Sequence, residues 1–182
     1  MLPIKVIDNF ISKYQSDLIV DYIERNHTSF SQHDLCYKKY FYGESKDVID
    51  GLDNITDLSV EIVENAIKAI AESFDDIDDV FLNSLWLVKH LPGDSMGKHS
   101  DINDPDEVMF TYSAILYLND MDDGGLLGFP NIDLLVKPEA GMLVIFISDR
   151  QESMHEITTV TKDRYTMPMW FTKNKDFELS FK

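Results

Sequence analysis

A chain of 182 residues, 44% apolar and 12% aromatic, suits one globular domain around one sizeable core. No stretch approaches the roughly 18 consecutive apolar residues of a helical membrane span. A net charge of −17 repels phosphate backbones, which excludes a non-specific nucleic-acid binder.

In chain order, residues 3–8 read as a short strand. Residues 11–26 carry Ile11, Tyr14, Leu18, Ile19, Tyr22 and Ile23 at the spacing of an amphipathic helix. Residues 27–50 read as irregular and polar, with Tyr37, Tyr40, Phe41 and Tyr42 clustered before Gly43. The segment 37–43 is either a substrate-facing lid or packing around the core. A second helix is predicted over 57–74, with Leu58, Ile62, Ala66, Ile67 and Ile70 on one side. After Asp79 the pattern changes to short apolar or alternating runs: residues 81–91, 108–118, 133–136, 142–147, 156–161, 164–171 and 177–181. Turn residues such as Pro92-Gly93 and Gly124-Gly125 separate them, which predicts a sandwich or barrel. The expected architecture is a single mainly β domain over 1–182, with N-terminal helical support over 1–80 and a β core over 81–182. Pro168 has no N–H to donate, so its strand is expected to be an edge or bulged there. Cys36 is the lone cysteine, and Met1-Leu2-Pro3-Ile4-Lys5 has no leader pattern; a reducing, cytoplasmic setting is expected.

His99-Ser100-Asp101 places an imidazole and a carboxylate two positions apart, on one side of an extended segment. Both could then reach one metal ion. By itself the pair also fits a loop histidine beside an unrelated aspartate. His155, at the start of a predicted strand, is the best third ligand. Two histidines and one carboxylate leave open positions on an octahedral metal, the pattern of non-haem Fe(II) oxygenases. Arg164 is one of only three arginines and follows the turn Lys162-Asp163, so adjacent strands can bring it near His155. Arg164, Thr166 and Trp170 share strand parity. A guanidinium fork beside a hydroxyl suits a bidentate grip on a carboxylate, as in a dicarboxylate cosubstrate. The plainer alternative for Arg164 is an exposed charge beside a hairpin turn.

Several ordered stretches carry a resemblance: Val88-Lys89-His90-Leu91-Pro92-Gly93, His99-Ser100-Asp101, Ile115-Leu116-Tyr117-Leu118-Asn119-Asp120, Gly124-Gly125-Leu126-Leu127-Gly128-Phe129-Pro130, Val136-Lys137-Pro138-Glu139-Ala140-Gly141, Val144-Ile145-Phe146, and His155 through Arg164-Tyr165 to Trp170-Phe171. From about 82 to 172 the chain resembles the prolyl-4-hydroxylase-like branch of the 2-oxoglutarate/Fe(II)-dependent dioxygenases. The resemblance implies a double-stranded β-helix, or jelly roll, with the metal at its mouth. It implies His99, Asp101 and His155 as ligands and Arg164 as partner of the distal carboxylate of 2-oxoglutarate. Tyr117 matches a tyrosine that hydrogen-bonds that carboxylate; a buried strand aromatic is the alternative. Thr166 follows Arg164 where the wider superfamily often has serine. His90 replaces the family's usual tyrosine and either lines the cosubstrate pocket or is a hydrogen-bonded strand histidine. Leu127 replaces a frequent threonine.

The implied cofactors are Fe(II), 2-oxoglutarate and O2, with ascorbate as an accessory reductant. The implied reaction couples decarboxylation of 2-oxoglutarate to succinate and CO2 with hydroxylation of an unactivated C–H, a prolyl residue in a peptide or protein being the leading substrate. Asp101 favours hydroxylation, because related halogenases lack the metal carboxylate. Free amino acids and small metabolites are alternative substrates. Two other readings use the same residues: a zinc hydrolase, which does not need Arg164, and a non-catalytic jelly-roll sensing module.

Overall fold

The computed structural model describes residues 2–42, 48–49, 52–74, 79–102 and 110–181. The elements run β1 (Ile4–Ile7), α1 (Lys13–Asn26), β2 (Ser31–His33), β3 (Cys36–Tyr42), β4 (Val48–Ile49), α2 (Thr56–Phe74), β5 (Phe81–His90), β6 (Met96–His99), β7 (Tyr112–Tyr117), β8 (Leu127–Phe129), β9 (Leu134–Val136), β10 (Leu143–Ile147), β11 (His155–Ile157), β12 (Arg164–Thr172) and β13 (Ser180–Phe181). A seven-stranded sheet has the order β1-β10-β7-β12-β5-β3-β2, and a four-stranded sheet the order β6-β11-β8-β9. β13 and β4 form a separate parallel pair. This is the expected mainly β jelly roll with two helices.

Strand parity builds two cores on opposite faces of the large sheet. Leu85, Leu87, Met167, Met169, Ala114, Leu116, Leu143 and Ile145 point to one side and pack with Ile19, Ile23, Ile62, Ala66 and Ile70 of the helices. Val144, Phe146 and Tyr117 point to the other side and pack with Leu127, Phe129 and Val136 of the small sheet. A strand buried on both faces reads as a continuous apolar run rather than an alternating one, as β10 does (Leu-Val-Ile-Phe-Ile). Among the described residues, no helix is long and apolar enough to cross a membrane.

α1 starts at a capping box. The Ser12 hydroxyl accepts from the Gln15 N–H at 3.3 Å, and the Ser12 N–H donates to Gln15 Oε1 at 2.9 Å. Ser12→Ala leaves a helix N–H without this acceptor. It should cost about 1 kcal/mol and lower the melting temperature by roughly 2–4 °C in a thermal scan.

Three expectations need correction. Residues 27–50 are not simply irregular: β3 pairs with β5 from Cys36↔His90 to Tyr42↔Ser84, and β2 extends the sheet. The paired neighbour supplies what the local sequence hides, since Lys38 and Lys39 interrupt the apolar alternation of β3. The 37–43 segment is therefore strand up to Tyr42, and Gly43 lies outside the described residues. Second, of the two alternatives at Pro168 the edge fails and the irregularity holds: β12 lies between β7 and β5. Pro168 is in register with Ile115 of β7, while the pairing with β5 runs through Thr166↔Val88 and resumes at Met169↔Leu85, with a register shift between Trp170 and Phe171. The missing N–H is accommodated where pairing to β5 lapses. Third, the strand predicted over 156–161 is the shorter β11, and that over 177–181 is only β13. Residues 108–109 of the predicted strand 108–118 lie outside the described residues.

Candidate active site

β6 and β11 pair antiparallel with His99 directly opposite His155. Cross-strand partners point to the same face, and here the two imidazole centroids are 4.3 Å apart. Asp101, two residues beyond His99, brings Oδ1 to 3.8 Å from His155 Nε2. One donor atom from each of the three lies within 4.8 Å of the others. Donors that share a metal at about 2.1 Å stand roughly 3–4 Å apart, so this spacing fits.

The proton positions favour the same use. His99 Nδ1 is 2.9 Å from the Gly97 carbonyl, and His155 Nδ1 is 3.0 Å from the Ser153 carbonyl. A carbonyl only accepts, so each Nδ1 carries the hydrogen and each Nε2 keeps its lone pair. Carbonyl partners of this kind commonly orient metal-binding histidines. Burial holds His155 below the usual imidazole range, against the pull of the Asp101 charge. A neutral ring is the form that ligates metal.

These three residues open onto a cavity of about 530 Å³ whose other wall is the large sheet. The register arranges the strands of that sheet in rows. Cys36, His90 and Arg164 are neighbours across β3, β5 and β12. Next come Lys38, Val88, Thr166 and Tyr117. Trp86, Pro168 and Ile115 line the cavity further along, followed by Ser84, Trp170 and Ser113.

Arg164 is 1% exposed. Its Nε donates to the Gly125 carbonyl at 3.0 Å, and its Cζ lies 5.2 Å from the Tyr117 ring centroid. Gly125 has φ +66°, and a Cβ there would lie 3.0 Å from Arg164 Cδ and 2.8 Å from Met121 Cε. Only glycine lets this turn approach the guanidinium so closely. Arg164 Nη2 and Tyr117 Oη are both buried without a hydrogen-bond partner. Burial raises the Tyr117 phenol, with Arg164 opposing, so the phenol keeps its proton as a donor. Arg164 and Tyr117 approach each other without reaching hydrogen-bond geometry, and the donor capacity left on both is costly unless an oxygen ligand meets it. A carboxylate does so with both its oxygens.

His90 both lines the cavity and hydrogen-bonds: its Nδ1 is 2.7 Å from Asp94 Oδ2. Burial, helped by the Arg164 charge, pushes it down to about 4 despite Asp94, so the ring is neutral near pH 7. Thr166 lines the cavity beside Arg164. Trp170 is at the far end, 4.4 Å from Trp86 between centroids and 6.1 Å from Phe110.

The sequence reading did not single out Trp86, Phe110 or Asp94. Trp86 was accessible from its parity with His90 on one strand. Lys38 and Lys39 stand on opposite faces. Lys38 lines the cavity, 5.4 Å from the Trp86 centroid, whereas Lys39 Nζ donates to the Tyr22 hydroxyl of α1 at 2.9 Å.

The model of the 2OG-Fe(II) oxygenase superfamily matches residues 85–172, from β5 to the end of β12. No curated protein sequence matches the chain. Among solved structures, it is similar to a viral collagen prolyl hydroxylase from Paramecium bursaria Chlorella virus-1 in a 2OG complex, at 17% identity over 95% of this chain and 97% of that one, with a TM-score of 0.72. A Pseudomonas putida prolyl-4-hydroxylase matches at 20% identity over 96% and 94%, TM-score 0.72. A Trichoplax adhaerens prolyl hydroxylase, in complex with a hypoxia inducible factor oxygen degradation domain peptide fragment, matches at 16% identity over 96% and 86%, TM-score 0.67. At these identities the likeness establishes the shared fold. The family match covers the strands that carry His90, His99, His155 and Arg164, and over residues 85–172 the chain is similar to the 2OG-Fe(II) oxygenase superfamily.

Proposed function

We propose that this dioxygenase hydroxylates an unactivated C–H of a prolyl residue in a peptide or protein. The observation that carries the 2-oxoglutarate reading is the buried pair of unpartnered donors, Arg164 Nη2 and Tyr117 Oη, in the same fold as a two-histidine, one-carboxylate cluster. The match to the superfamily over residues 85–172 supports Fe(II), 2-oxoglutarate and O2 as the cofactors. The prolyl substrate is supported by the prolyl hydroxylases among the similar structures, one of them with a peptide bound.

In this reading His99, Asp101 and His155 hold the metal, and the Asp101 carboxylate offsets part of its charge. Arg164 and Tyr117 grip the distal carboxylate of 2-oxoglutarate, with Thr166 beside them. Iron and 2-oxoglutarate, when bound by these residues, would supply the oxidising chemistry, with succinate and CO2 as the cosubstrate's products. The chain's own contribution is orientation and exclusion of water. Trp86, Trp170, Phe110 and Pro168 form an apolar wall against which a pyrrolidine ring can lie. Ascorbate is proposed as the reductant that restores iron after uncoupled turnover, and the cytoplasm as the setting.

The test is succinate release from 2-oxoglutarate with Fe(II) and O2, on a panel of proline-containing peptides, with mass spectrometry for one added oxygen. Hydroxylation of a prolyl residue is the expected result. Turnover on free amino acids but never on peptides would move the substrate to a small molecule. Binding of 2-oxoglutarate without consumption, whatever the substrate, would make the chain a sensing module.

Lys38 gives a narrower expectation. Its side chain lines the cavity with the ammonium 5.4 Å from the Trp86 centroid, on the face Lys39 does not reach. Lys38→Ala should raise the KM of an anionic peptide substrate roughly threefold to tenfold, the effect of one partly screened ion pair. Uncoupled 2-oxoglutarate decay should hold steady. Equal loss of both activities would show that Lys38 only supports the sheet.

A further inference from the structure

Beside the cavity, at His90, stands a second group of metal-binding side chains. Cys36, His90 and Asp94 each offer a donor atom, and the three atoms lie within 4.8 Å of one another. None belongs to the His99, Asp101, His155 cluster. We propose that Cys36, His90 and Asp94 form a second metal site, for a borderline-soft divalent cation of the zinc class.

The backbone fixes this cluster. Cys36 and His90 are directly opposite on β3 and β5, so strand pairing sets their separation. Asp94 is held over the end of β5 by the Pro92-Gly93 turn. That turn is pinned by Gly93 N–H to the Val160 carbonyl at 2.8 Å, Asp94 N–H to the Leu91 carbonyl at 3.1 Å, and Val160 N–H to the Asp94 carbonyl at 2.8 Å. Gly93 takes φ +95°, and its Cα packs toward Leu35, the neighbour of Cys36. The donors therefore come from three places in the chain onto one point, and they do not depend on a flexible loop.

The donor chemistry selects the cation. One thiolate, one imidazole and one carboxylate is a zinc-type set, and three protein ligands leave a fourth position for water. Cys36 and His90 are buried, and Asp94 is half-buried. The His90 ring is neutral; in the metal-free chain its Nδ1–H donates to Asp94 Oδ2 at 2.7 Å, and ligation through Nδ1 would move that hydrogen to Nε2. Burial pushes the Cys36 thiol up to about 12, so it is protonated when no metal is bound. Binding then forms a metal–sulfur bond and releases the thiol proton to solvent. The dication is balanced by the thiolate and the Asp94 carboxylate, which matters because the Arg164 guanidinium is next in the row. Such a cation would tie the β2–β3 hairpin, at the edge of the large sheet, to the turn that leads into β6.

Cobalt(II) reports this site selectively. A thiolate–Co(II) charge-transfer band in the near ultraviolet requires a cysteine ligand, and Cys36 is the only cysteine of the chain. The metal-free full chain is titrated anaerobically with Co(II), with equilibrium dialysis for stoichiometry. The wild type should show the band and take up a second equivalent beyond the first. Cys36→Ser should lose the band and that equivalent while keeping the other, which also shows that the variant is folded. Asp94→Asn, at a less buried position, should weaken the band's midpoint by roughly tenfold or more. His99→Ala should keep the band, so the outcome is independent of the first site and of any enzymatic activity. Absence of the band in the wild type, or two equivalents retained by Cys36→Ser, would overturn the assignment.

Discussion

Asp101→Ala should abolish turnover, lowering kcat by roughly a thousandfold or more, or about 4 kcal/mol. Asp101 supplies the only negative charge of its cluster, and without it two neutral imidazoles face a dication. His155→Ala should do the same by removing one of two nitrogens held on a cross-strand pair. The fold should survive both changes. Among the described residues Asp101 has no partner closer than His155 Nε2 at 3.8 Å, so its loss breaks no hydrogen bond there; His155→Ala removes a buried ring packed on Phe146 and should cost more, roughly 1–3 kcal/mol. The measurement is succinate release alongside a thermal scan and anaerobic Fe(II) titration. Wild-type turnover by the Asp101→Ala, His155→Ala double variant would remove the assignment of the metal centre.

The sequence was most informative where local pattern and long-range geometry agree. Ile19, Ile23, Ile62, Ala66 and Ile70 recur at helical spacing, and both helices bury that stripe against the large sheet. His99-Ser100-Asp101 was visible as a pair, but that His155 stands opposite His99 depends on the pairing of β6 with β11, which no local pattern specifies. β6 itself, Met-Gly-Lys-His, has neither apolar alternation nor strong strand propensity; its neighbour β11 makes it a strand. β3 failed for the same reason, its lysines obscuring the period. The parity of Arg164, Thr166 and Trp170 was legible and corresponds to the cavity face of β12. Its counterpart on β5 was not, because Phe81–His90 is largely buried on both faces and reads as one apolar run. Trp86 shares the parity of His90, but in that run parity alone does not say which face is the cavity's. Asp94 escaped because a turn aspartate ordinarily means only a turn; its meaning comes from His90 and Cys36, which the fold brings to it.

Arg164→Ala should weaken 2-oxoglutarate binding by roughly tenfold to a hundredfold. The guanidinium is fully buried, fixed by its Nε bond to Gly125, and keeps Nη2 unpartnered beside the unpartnered Tyr117 hydroxyl. A charge-assisted bidentate pair in such surroundings contributes on the order of 1.5–3 kcal/mol, and about 1.4 kcal/mol corresponds to each factor of ten. Burial lowers the Arg164 pKa from its usual value, yet guanidinium stays charged throughout the accessible range, so the loss should be independent of pH near neutrality. Arg164→Lys keeps the charge and loses the fork, and should fall between wild type and alanine. Tyr117→Phe removes one neutral donor and should cost less, about 1 kcal/mol or roughly fivefold. Iron affinity should change little in all three, since neither residue is in the metal cluster. Anaerobic titration of 2-oxoglutarate into the iron-loaded protein, by calorimetry or by the metal-to-ligand absorption band, measures each constant directly. The order alanine, lysine, phenylalanine, wild type, from weakest to tightest, is what a carboxylate between these two side chains requires. An unchanged constant in Arg164→Ala would mean that the cosubstrate is held elsewhere and that the two buried donors serve some other oxygen ligand.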